Sequence, residues 1–571
     1  MKIDAKRKLS GILVPVFALR RHGDLGIGDT IAMIEALDFC KQNLIAALQT
    51  LPINETSDDN SPYNAISSMA LEPCLLAMSP DMVPGLTPSD IDEEIAASSF
   101  DAAAEFIDYA AVKGLKIRIL RRAFERYMLK PDGGLDAFCK RCERWLSPYA
   151  VFRAIMAESG SGPCWTYWSD EQKTYESALA WIEGSENAAS LKQEIAFWSY
   201  VQWVADSQWR VVKEHADKCN VRLMGDIPFG VSRYSVDVWH ERRLFDLEWS
   251  GGAPPEPVFH TDLFTKNWGQ NWGIPLYDWS AHAKDGYAWW KSRVERLLEH
   301  FHDFRIDHVL GFFRVYAFPW IPERNDEFVE LTEAEAAAIT GGKLPEFRPR
   351  PDEPEKNALL NKKQGVEILR AVCEAAGSGY IVAEDLGLLI PEYLRPALHD
   401  LGMAGFAIPI FERIEKTRDF QPIDELHPLS LATYATHDHQ PLASFYDGLV
   451  QWWHGPDGEE GWKEVRRLMK LLDLDPDNPP EQYDWELQEA FMKALMESPC
   501  WMAVFMVTDL IGSRLRFNQP GLSGSGCWTQ RLPATLAALQ ADEETGRGIA
   551  SLKELIESTG REPAAIPSRS L

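Results

Sequence analysis

Eight short apolar runs, most of them rich in β-branched residues, recur along the chain with helical patterns between them. They occupy residues 11–17, 45–53, 221–229, 301–309, 380–386, 404–410, 431–436 and 501–508. Several are flanked by segments whose apolar residues recur three and four positions apart, which is typical of amphipathic helices. Alternating strands and helices indicate parallel pairing. Eight such strands predict an α/β fold of the (β/α)8 TIM-barrel type.

The uneven spacing of the runs predicts large, mostly helical insertions in a single catalytic barrel that spans residues 1–571. The longest gap lies between the second and third runs, where we expect a helical insertion at residues 75–215. We expect smaller insertions at 231–290, after strand 3, and at 440–495, after strand 7. Barrels tolerate insertions of this kind because function resides in the loops that follow the strands.

The charge of the chain limits its partners. It has 86 acidic and 58 basic residues, a net charge of −28. Such a surface is repelled by phosphate backbones and anionic lipid, so we expect neither nucleic acid nor membrane as a partner. Solubility alone would also explain this charge. The 21 Trp residues are more informative, because flat aromatic faces suit sugar rings.

The sequence favours a cytoplasmic protein without a metal or cofactor. The N-terminal segment lacks the apolar core of a signal peptide, and no apolar run reaches the ~18 residues of a membrane span. Nine Cys, an odd number, argue against a disulfide framework. Only Cys139 and Cys142 are closely spaced, and no second pair stands at zinc-site spacing. No oligomeric state is indicated.

Arg305 and Asp307 form the strongest local signal, in the fourth apolar run. Residues two apart in a strand face the same side, so these two side chains are expected to project together. A neighbouring guanidinium favours the ionised form of a carboxylate, which a nucleophile requires. A structural ion pair is the alternative interpretation.

Glu384 and Asp385 end the fifth apolar run. Carboxylates at the carboxyl end of a barrel strand stand where barrel active sites are built. A partly desolvated Glu holds its proton to higher pH and can donate it. We therefore assign Glu384 to chemistry and Asp385 to support, with a helix N-cap as the alternative for Asp385.

His437 and Asp438 directly follow the seventh apolar run and could hydrogen-bond sugar hydroxyls. A His/Asp metal site is a weaker alternative, because no ligand cluster at helical spacing supports it. Acids at three strand ends fit glycoside chemistry, which needs one group to protonate the leaving oxygen and one on the other face of the ring. Adjacent strands could hold Asp307 and Glu384 at the ~5–5.5 Å that retention requires.

Several segments together resemble glycoside hydrolase family 77, the 4-α-glucanotransferases also called amylomaltases or disproportionating enzymes. The resemblance runs from about residue 11 to residue 532 and follows the family's order of motifs. The segments are Ser61-Pro62-Tyr63, Gly225-Asp226-Ile227-Pro228, Gly269-Gln270-Asn271-Trp272-Gly273, Arg305-Ile306-Asp307-His308, Ala383-Glu384-Asp385-Leu386-Gly387, Thr436-His437-Asp438, and Asn518-Gln519-Pro520-Gly521 with Trp528. Parts of this core are similar to the plant-cytosolic disproportionating type, which transfers glucose from maltose to a glucan polymer.

The resemblance implies a retaining glucanotransferase and assigns its residues. Asp307 would be the nucleophile, Glu384 the acid/base, and Asp438 the group that stabilises the distorted ring. The implied substrate-binding residues are Tyr63 and Trp272 as stacking faces, Arg305 beside the nucleophile, and Asp226, Gln270, His437 and Asn518 as polar partners. Core packing is the alternative for the two aromatic residues. The implied substrates are maltose, malto-oligosaccharides and a glycogen- or starch-like glucan, with no cofactor.

Two other functions compete with this hypothesis. An α-glucan hydrolase such as an amylase would use the same acids, but amylases often carry a calcium site and a C-terminal β-sandwich. The sequence shows no acidic loop at calcium-ligand spacing, and few residues follow the eighth run. A glucan-binding protein without catalysis would explain the abundant Trp but not the three acids.

Overall fold

Twelve strands are found in the part of the chain that the computed structural model describes, residues 3–57, 59–160, 162–255, 262–387, 389–520 and 526–566. In chain order they are β1 (Leu9–Leu13), β2 (Ala47–Gln49), β3 (Arg222–Ile227), β4 (Phe245–Ala253), β5 (Gln270–Tyr277), β6 (Asp303–Ile306), β7 (Val315–Phe318), β8 (Glu346–Arg348), β9 (Ile381–Ala383), β10 (Gly405–Ala407), β11 (Ser430–Ala432) and β12 (Met502–Met506).

Eight of these strands form one parallel sheet in the order β10-β11-β12-β1-β2-β3-β6-β9. The two ends of this order meet, because Val382 of β9 bridges in parallel to Ala404, just before β10. The Ala383 N–H donates to the Ala404 carbonyl at 2.7 Å across this seam. Each apolar run of the sequence overlaps one of the eight strands, so the predicted (β/α)8 barrel is confirmed.

Helices surround this barrel. They are α1 (Thr30–Gln42), α2 (Pro88–Ala96), α3 (Tyr109–Leu129), α4 (Gly134–Ser159), α5 (Tyr175–Gly184), α6 (Ala188–Cys219), α7 (Val236–His240), α8 (Leu263–Trp268), α9 (Trp279–Lys284), α10 (Ala288–Leu298), α11 (Glu333–Ile339), α12 (Glu355–Ala376), α13 (Leu394–Leu401), α14 (Leu442–Trp453), α15 (Gly458–Leu471), α16 (Trp485–Glu497), α17 (Val507–Leu510), α18 (Leu536–Ala541) and α19 (Thr545–Thr559).

The helices explain why the barrel strands are almost continuously apolar. Every residue of β12 is buried, since one face of the strand lines the barrel interior and the other lies under helices. Local signals fix where the helices begin: the Asp29 side chain accepts the Ile31 and Ala32 N–H groups and so caps α1. None of the described helices combines the length and the apolar character that crossing a membrane requires.

The three predicted insertions differ in content. Residues 75–215 carry α2 to α5 and most of α6, and α6 then continues to Cys219 and leads into β3. Residues 440–495 carry α14, α15 and most of α16. Residues 231–290 hold α7, β4, α8, β5, α9 and the start of α10, and residues 256–261 within this stretch lie outside the described part.

A second, antiparallel sheet in the order β5-β4-β7-β8 was not predicted. Two glycines in β4, and a glycine and a proline in β5, weaken the strand signal of these two segments. Gly252 of β4 shows why glycine is needed there, because a Cβ atom would stand 1.9 Å from the Gln270 carbonyl oxygen. This close pairing carries Gln270 and Trp272 on β5.

Candidate active site

Asp307 and Glu384 each follow the last residue of two neighbouring barrel strands. Ile306 of β6 pairs with Ala383 of β9, and the Glu384 N–H donates to the Ile306 carbonyl at 2.9 Å. Nη2 of Arg305 lies 2.8 Å from Asp307 Oδ1 and 3.9 Å from Glu384 Oε2. The sum of these two distances is the upper limit on the separation of Asp307 Oδ1 and Glu384 Oε2. This limit allows the ~5–5.5 Å that separates the carboxyl groups of a retaining pair.

Arg305 links these acids to a third, deeper carboxylate. Its side chain is buried, and Nη1 donates to Oδ2 of Asp226 at 2.7 Å. The Tyr63 hydroxyl donates to the same oxygen at 2.7 Å. Burial disfavours the charged guanidinium, but Asp226 and Asp307 outweigh it and hold the pKa of Arg305 well above its ordinary value. Arg305 is therefore a fixed positive charge between two carboxylates.

Glu384 stands in surroundings that favour its protonated form. Its side chain is 12% exposed, and burial raises the pKa of its carboxyl to about 8. Arg305 lowers this pKa, the negative charge of Asp307 raises it, and the N–H of His308, which donates to Oε2 at 2.7 Å, lowers it. Desolvation outweighs the stabilising contacts. Glu384 can thus hold a proton at neutral pH.

Asp438 stands in surroundings that favour its ionised form. Its Oδ1 accepts from Asn518 Nδ2 at 2.6 Å, and its Oδ2 lies 3.2 Å from His437 Nε2. Burial would raise its pKa, but His437 and Asn518 outweigh burial and hold it well below the usual range. The side chain is still 39% exposed, so it can reach a ligand.

The aromatic residues Tyr63 and Trp272 lie at different sides of this group. The Tyr63 ring stacks on His437 at 4.9 Å between centroids, which ties it to the acids as well as to neighbouring packing. Trp272 is 38% exposed, and its ring meets that of His308 edge-on at 4.9 Å. Its Nε1 donates to Gln270 Oε1 at 3.2 Å. Among the described contacts, Gln270 is linked to the acids indirectly: Gln270 contacts Trp272, Trp272 contacts His308, and His308 hydrogen-bonds to Glu384.

Residues that sequence reasoning did not single out complete the arrangement. His308 adopts a left-handed backbone, φ 41°, an uncommon conformation for a residue with a side chain. Arg516 donates to the Asp438 backbone carbonyl at 2.8 Å. The sequence carried a signal for His308, because this residue directly follows Asp307 in the strand motif. Nothing in the residue spacing marks Arg516.

Asp385 supports the barrel instead of capping a helix. Its Oδ1 accepts the Phe406 N–H at 2.8 Å and its Oδ2 accepts from Arg395 Nε at 2.9 Å. The first bond ties the end of β9 to β10, and the second ties it to α13. Gly521, the last residue of the Asn518 motif, lies outside the described residues.

No metal grouping coincides with the acids in the described part of the chain. Two sets of side chains there could hold an ion, Asp38 with His215 and Cys219, and Asp206 with Glu299 and His300. Neither set includes Asp307, Glu384 or Asp438.

Comparison with known proteins places this geometry in one family. The glycoside hydrolase 77 model, described as 4-alpha-glucanotransferase, matches residues 14–537. The 4-alpha-glucanotransferase of Chlamydia pneumoniae is 30% identical over 551 residues, 93% of this chain and 92% of that protein. The 4-alpha-glucanotransferase DPE2 of Oryza sativa subsp. japonica is 34% identical over 321 residues, 54% of this chain and 32% of that protein.

The fold agrees with a solved structure of an amylomaltase from Streptococcus agalactiae in complex with acarbose. The TM-score is 0.73 at 23% identity, with 97% of this chain and 100% of that chain covered. Because the family model spans most of the sequence, the protein belongs to the glycoside hydrolase 77 family of 4-alpha-glucanotransferases, retaining enzymes that transfer α-glucan segments.

Proposed function

We propose that Asp307, Glu384 and Asp438 carry out the transfer of α-1,4-glucan or glucosyl segments from maltose or malto-oligosaccharides to a glucose or glucan acceptor. The observation that supports these roles is the contrast between two carboxyl groups that share one guanidinium. Glu384 is desolvated and holds a proton, whereas Asp307 makes a direct ion pair with Arg305. Double displacement requires one carboxyl group that gives a proton and a second that acts as the nucleophile.

In the first half-reaction, the Asp307 carboxylate attacks the anomeric carbon of the donor. The glycosidic C–O bond breaks as Glu384 gives its proton to the departing oxygen. The products are a free sugar with a new hydroxyl and a glucosyl ester on Asp307. Asp438, kept ionised by His437 and Asn518, stabilises the positive charge that develops on the ring.

In the second half-reaction, Glu384 removes a proton from the acceptor hydroxyl, which attacks the same carbon and displaces Asp307. Transfer must outcompete hydrolysis by abundant water. Positioning of a bound acceptor supplies an effective molarity of about 10⁵ M or more. We assign this positioning to the segment that carries Gln270 and Trp272, because Trp272 is exposed beside His308, next to the nucleophile.

Analysis of the products from maltotriose tests this proposal. A transferase releases glucose together with maltopentaose and longer oligomers, and Glu384→Gln lowers the rate of all of them together. Release of glucose and maltose without longer oligomers would show a hydrolase instead. A wild-type protein that binds glucan without any turnover, and whose Glu384→Gln variant binds with the same affinity, would be a binding protein.

The identity of donor and acceptor is a finer proposal that rests on the plant-type resemblance. We propose that maltose serves as donor when a glycogen- or starch-like polymer is present as acceptor. Incubation of maltose with and without glycogen tests this choice, since glucose release should then depend on the polymer. Equal glucose release without polymer would assign the enzyme to simple disproportionation. We also propose a cytoplasmic location.

A further inference from the structure

Three side chains with metal-binding chemistry meet on the outside of the barrel, away from the acids. Asp38 comes from α1, while His215 and Cys219 come from the last two turns of α6. Residues four apart on a helix lie on one face, so His215 and Cys219 point toward the same side. Sequence spacing could not reveal this group, because Asp38 and His215 are 177 positions apart.

The three side chains are already close to coordination distances. His215 Nε2 lies 2.8 Å and Cys219 Sγ 3.6 Å from the same atom, Oδ1 of Asp38. All three candidate ligand atoms lie within 4.8 Å of one another. Zinc bonds of ~2.0–2.3 Å at tetrahedral angles separate such atoms by about 3.3–3.6 Å. A bound ion thus requires the oxygen and nitrogen to open by about half an ångström.

The charge balance separates this group from the second grouping in the molecule. In that grouping Arg210 and Arg296 each pair with both Asp206 and Glu299, beside His300, so its negative charge is already neutralised. In the first group, burial raises the pKa of the Cys219 thiol and Lys41 lies near enough to lower it, but among the described residues Asp38 forms its salt bridge with His215, which carries a charge only when it is protonated. With neutral His215, the negative charge of Asp38 is therefore available to a cation.

We propose that Asp38, His215 and Cys219 form a structural site for a zinc-like divalent transition-metal ion. Thiolate, imidazole and carboxylate are ligands that such borderline ions accept together. Cys219 is buried, whereas the side chains of His215 and Asp38 are 28% and 50% exposed, so water can reach the ion from one side and complete the coordination.

The position of the group defines what the ion does. Asp38 lies near the end of α1, which precedes β2, and Cys219 ends α6, which precedes β3. The group therefore stands at the amino ends of the strands, opposite the acids at the carboxyl ends. At that face of a barrel, side chains serve stability instead of chemistry. The ion fastens α1 to α6, and this role is independent of the proposed glucan transfer.

Titration of the tag-free, metal-stripped full-length protein with Co²⁺ tests the site. Co²⁺ occupies zinc sites and reports a bound thiolate by a near-ultraviolet charge-transfer band. We expect one Co²⁺ per chain with this band, competition by Zn²⁺, and loss of the band in Cys219→Ser. Zinc at about 100-fold above its Kd should raise the unfolding temperature by roughly 2–3 °C. Glucan transfer at moderate temperature should be unchanged.

Matched variants separate this site from non-specific binding. Cys373→Ser and His454→Gln remove a cysteine and a histidine elsewhere and should leave the titration unaltered. Asp38→Asn, at an exposed side chain, weakens binding at least tenfold even if Cys219→Ser folds poorly. The proposal is overturned by absence of binding at micromolar Co²⁺, by binding without the thiolate band, or by a band that persists in Cys219→Ser.

Discussion

The His308 N–H donates a 2.7 Å hydrogen bond to Oε2 of Glu384, so the residue next to one proposed catalytic acid holds the other in place. His308 itself adopts a left-handed backbone, φ 41°, so the chain turns away from the strand directly after this bond. The two acids are thereby coupled through the peptide group between residues 307 and 308 as well as through Arg305. The relative position of the two acids therefore depends on strand register and on one local turn.

The pH dependence of transfer should reflect the protonation of Glu384. Its pKa is raised to about 8 mainly by burial, so the proton is held below that pH and lost above it. Activity should therefore fall as pH rises through about 8. The measurement is kcat/KM on maltotriose against pH. An alkaline limb at an unchanged position in the residual activity of Glu384→Gln would assign it to another group.

Removal of the proposed acid, Glu384, should lower the transfer rate most for donors with poor leaving groups. Glu384→Gln should lower transfer from maltotriose by ~10²–10⁴-fold, the range of general acid catalysis. With maltosyl fluoride as donor the loss should be much smaller, because fluoride departs without a proton. Glu392→Gln, at an exposed position on the same segment, is the control. Equal losses with both donors would contradict the acid role.

Asn518 should matter through Asp438 alone. Asn518→Ala removes a 2.6 Å hydrogen bond to a charged carboxylate, worth ~1.5–3 kcal/mol. We expect kcat/KM for transfer to fall about 10- to 100-fold while the unfolding temperature changes little. Gln519→Ala, at the exposed neighbouring position, should show neither effect. A loss of stability with intact kinetics would give Asn518 a structural role.

Arg305 should stabilise the fold because its guanidinium forms ion pairs with two carboxylates that would otherwise repel each other. Arg305→Met leaves Asp226 and Asp307 without their shared guanidinium and should lower the free energy of unfolding by ~3–5 kcal/mol. In an Asp226→Asn background the same substitution should be milder, since one of the two charges is gone. Chemical denaturation of the four proteins measures this coupling. Equal losses in both backgrounds would show that the charges are not coupled.

Trp272 should control the fate of the covalent intermediate. Trp272→Ala removes an exposed ring beside His308, so an acceptor sugar loses stacking worth ~0.5–1.5 kcal/mol. We expect the KM for acceptor to rise about 3–10-fold and the hydrolysed share of product to increase. Trp452→Ala, similarly exposed at the end of α14, is the control. An unchanged ratio of transfer to hydrolysis would leave Trp272 with packing alone.

The second sheet could not be predicted because β4 and β5, two of its four strands, do not carry a strand-like pattern. Gly251, Gly252 and Pro275 interrupt the alternation that β4 and β5 would otherwise show. The two strands pair because their backbones approach closely. A short stretch of sequence does not show such an approach. The same holds for Arg516, whose contact with Asp438 joins positions 78 apart.

The sequence alone determined the barrel and the position of Asp307 and Glu384 directly after two of its strands, because mostly apolar runs form the strands and these acids follow them, and such a pattern is local. Only the tertiary structure decided which of those residues contact one another and how deeply each is buried. The raised pKa of Glu384, the shared guanidinium of Arg305 and the hydrogen bond from His308 all depend on register between strands far apart in the chain. Burial and distance are properties of the closed sheet, so they exist only once its strands are side by side.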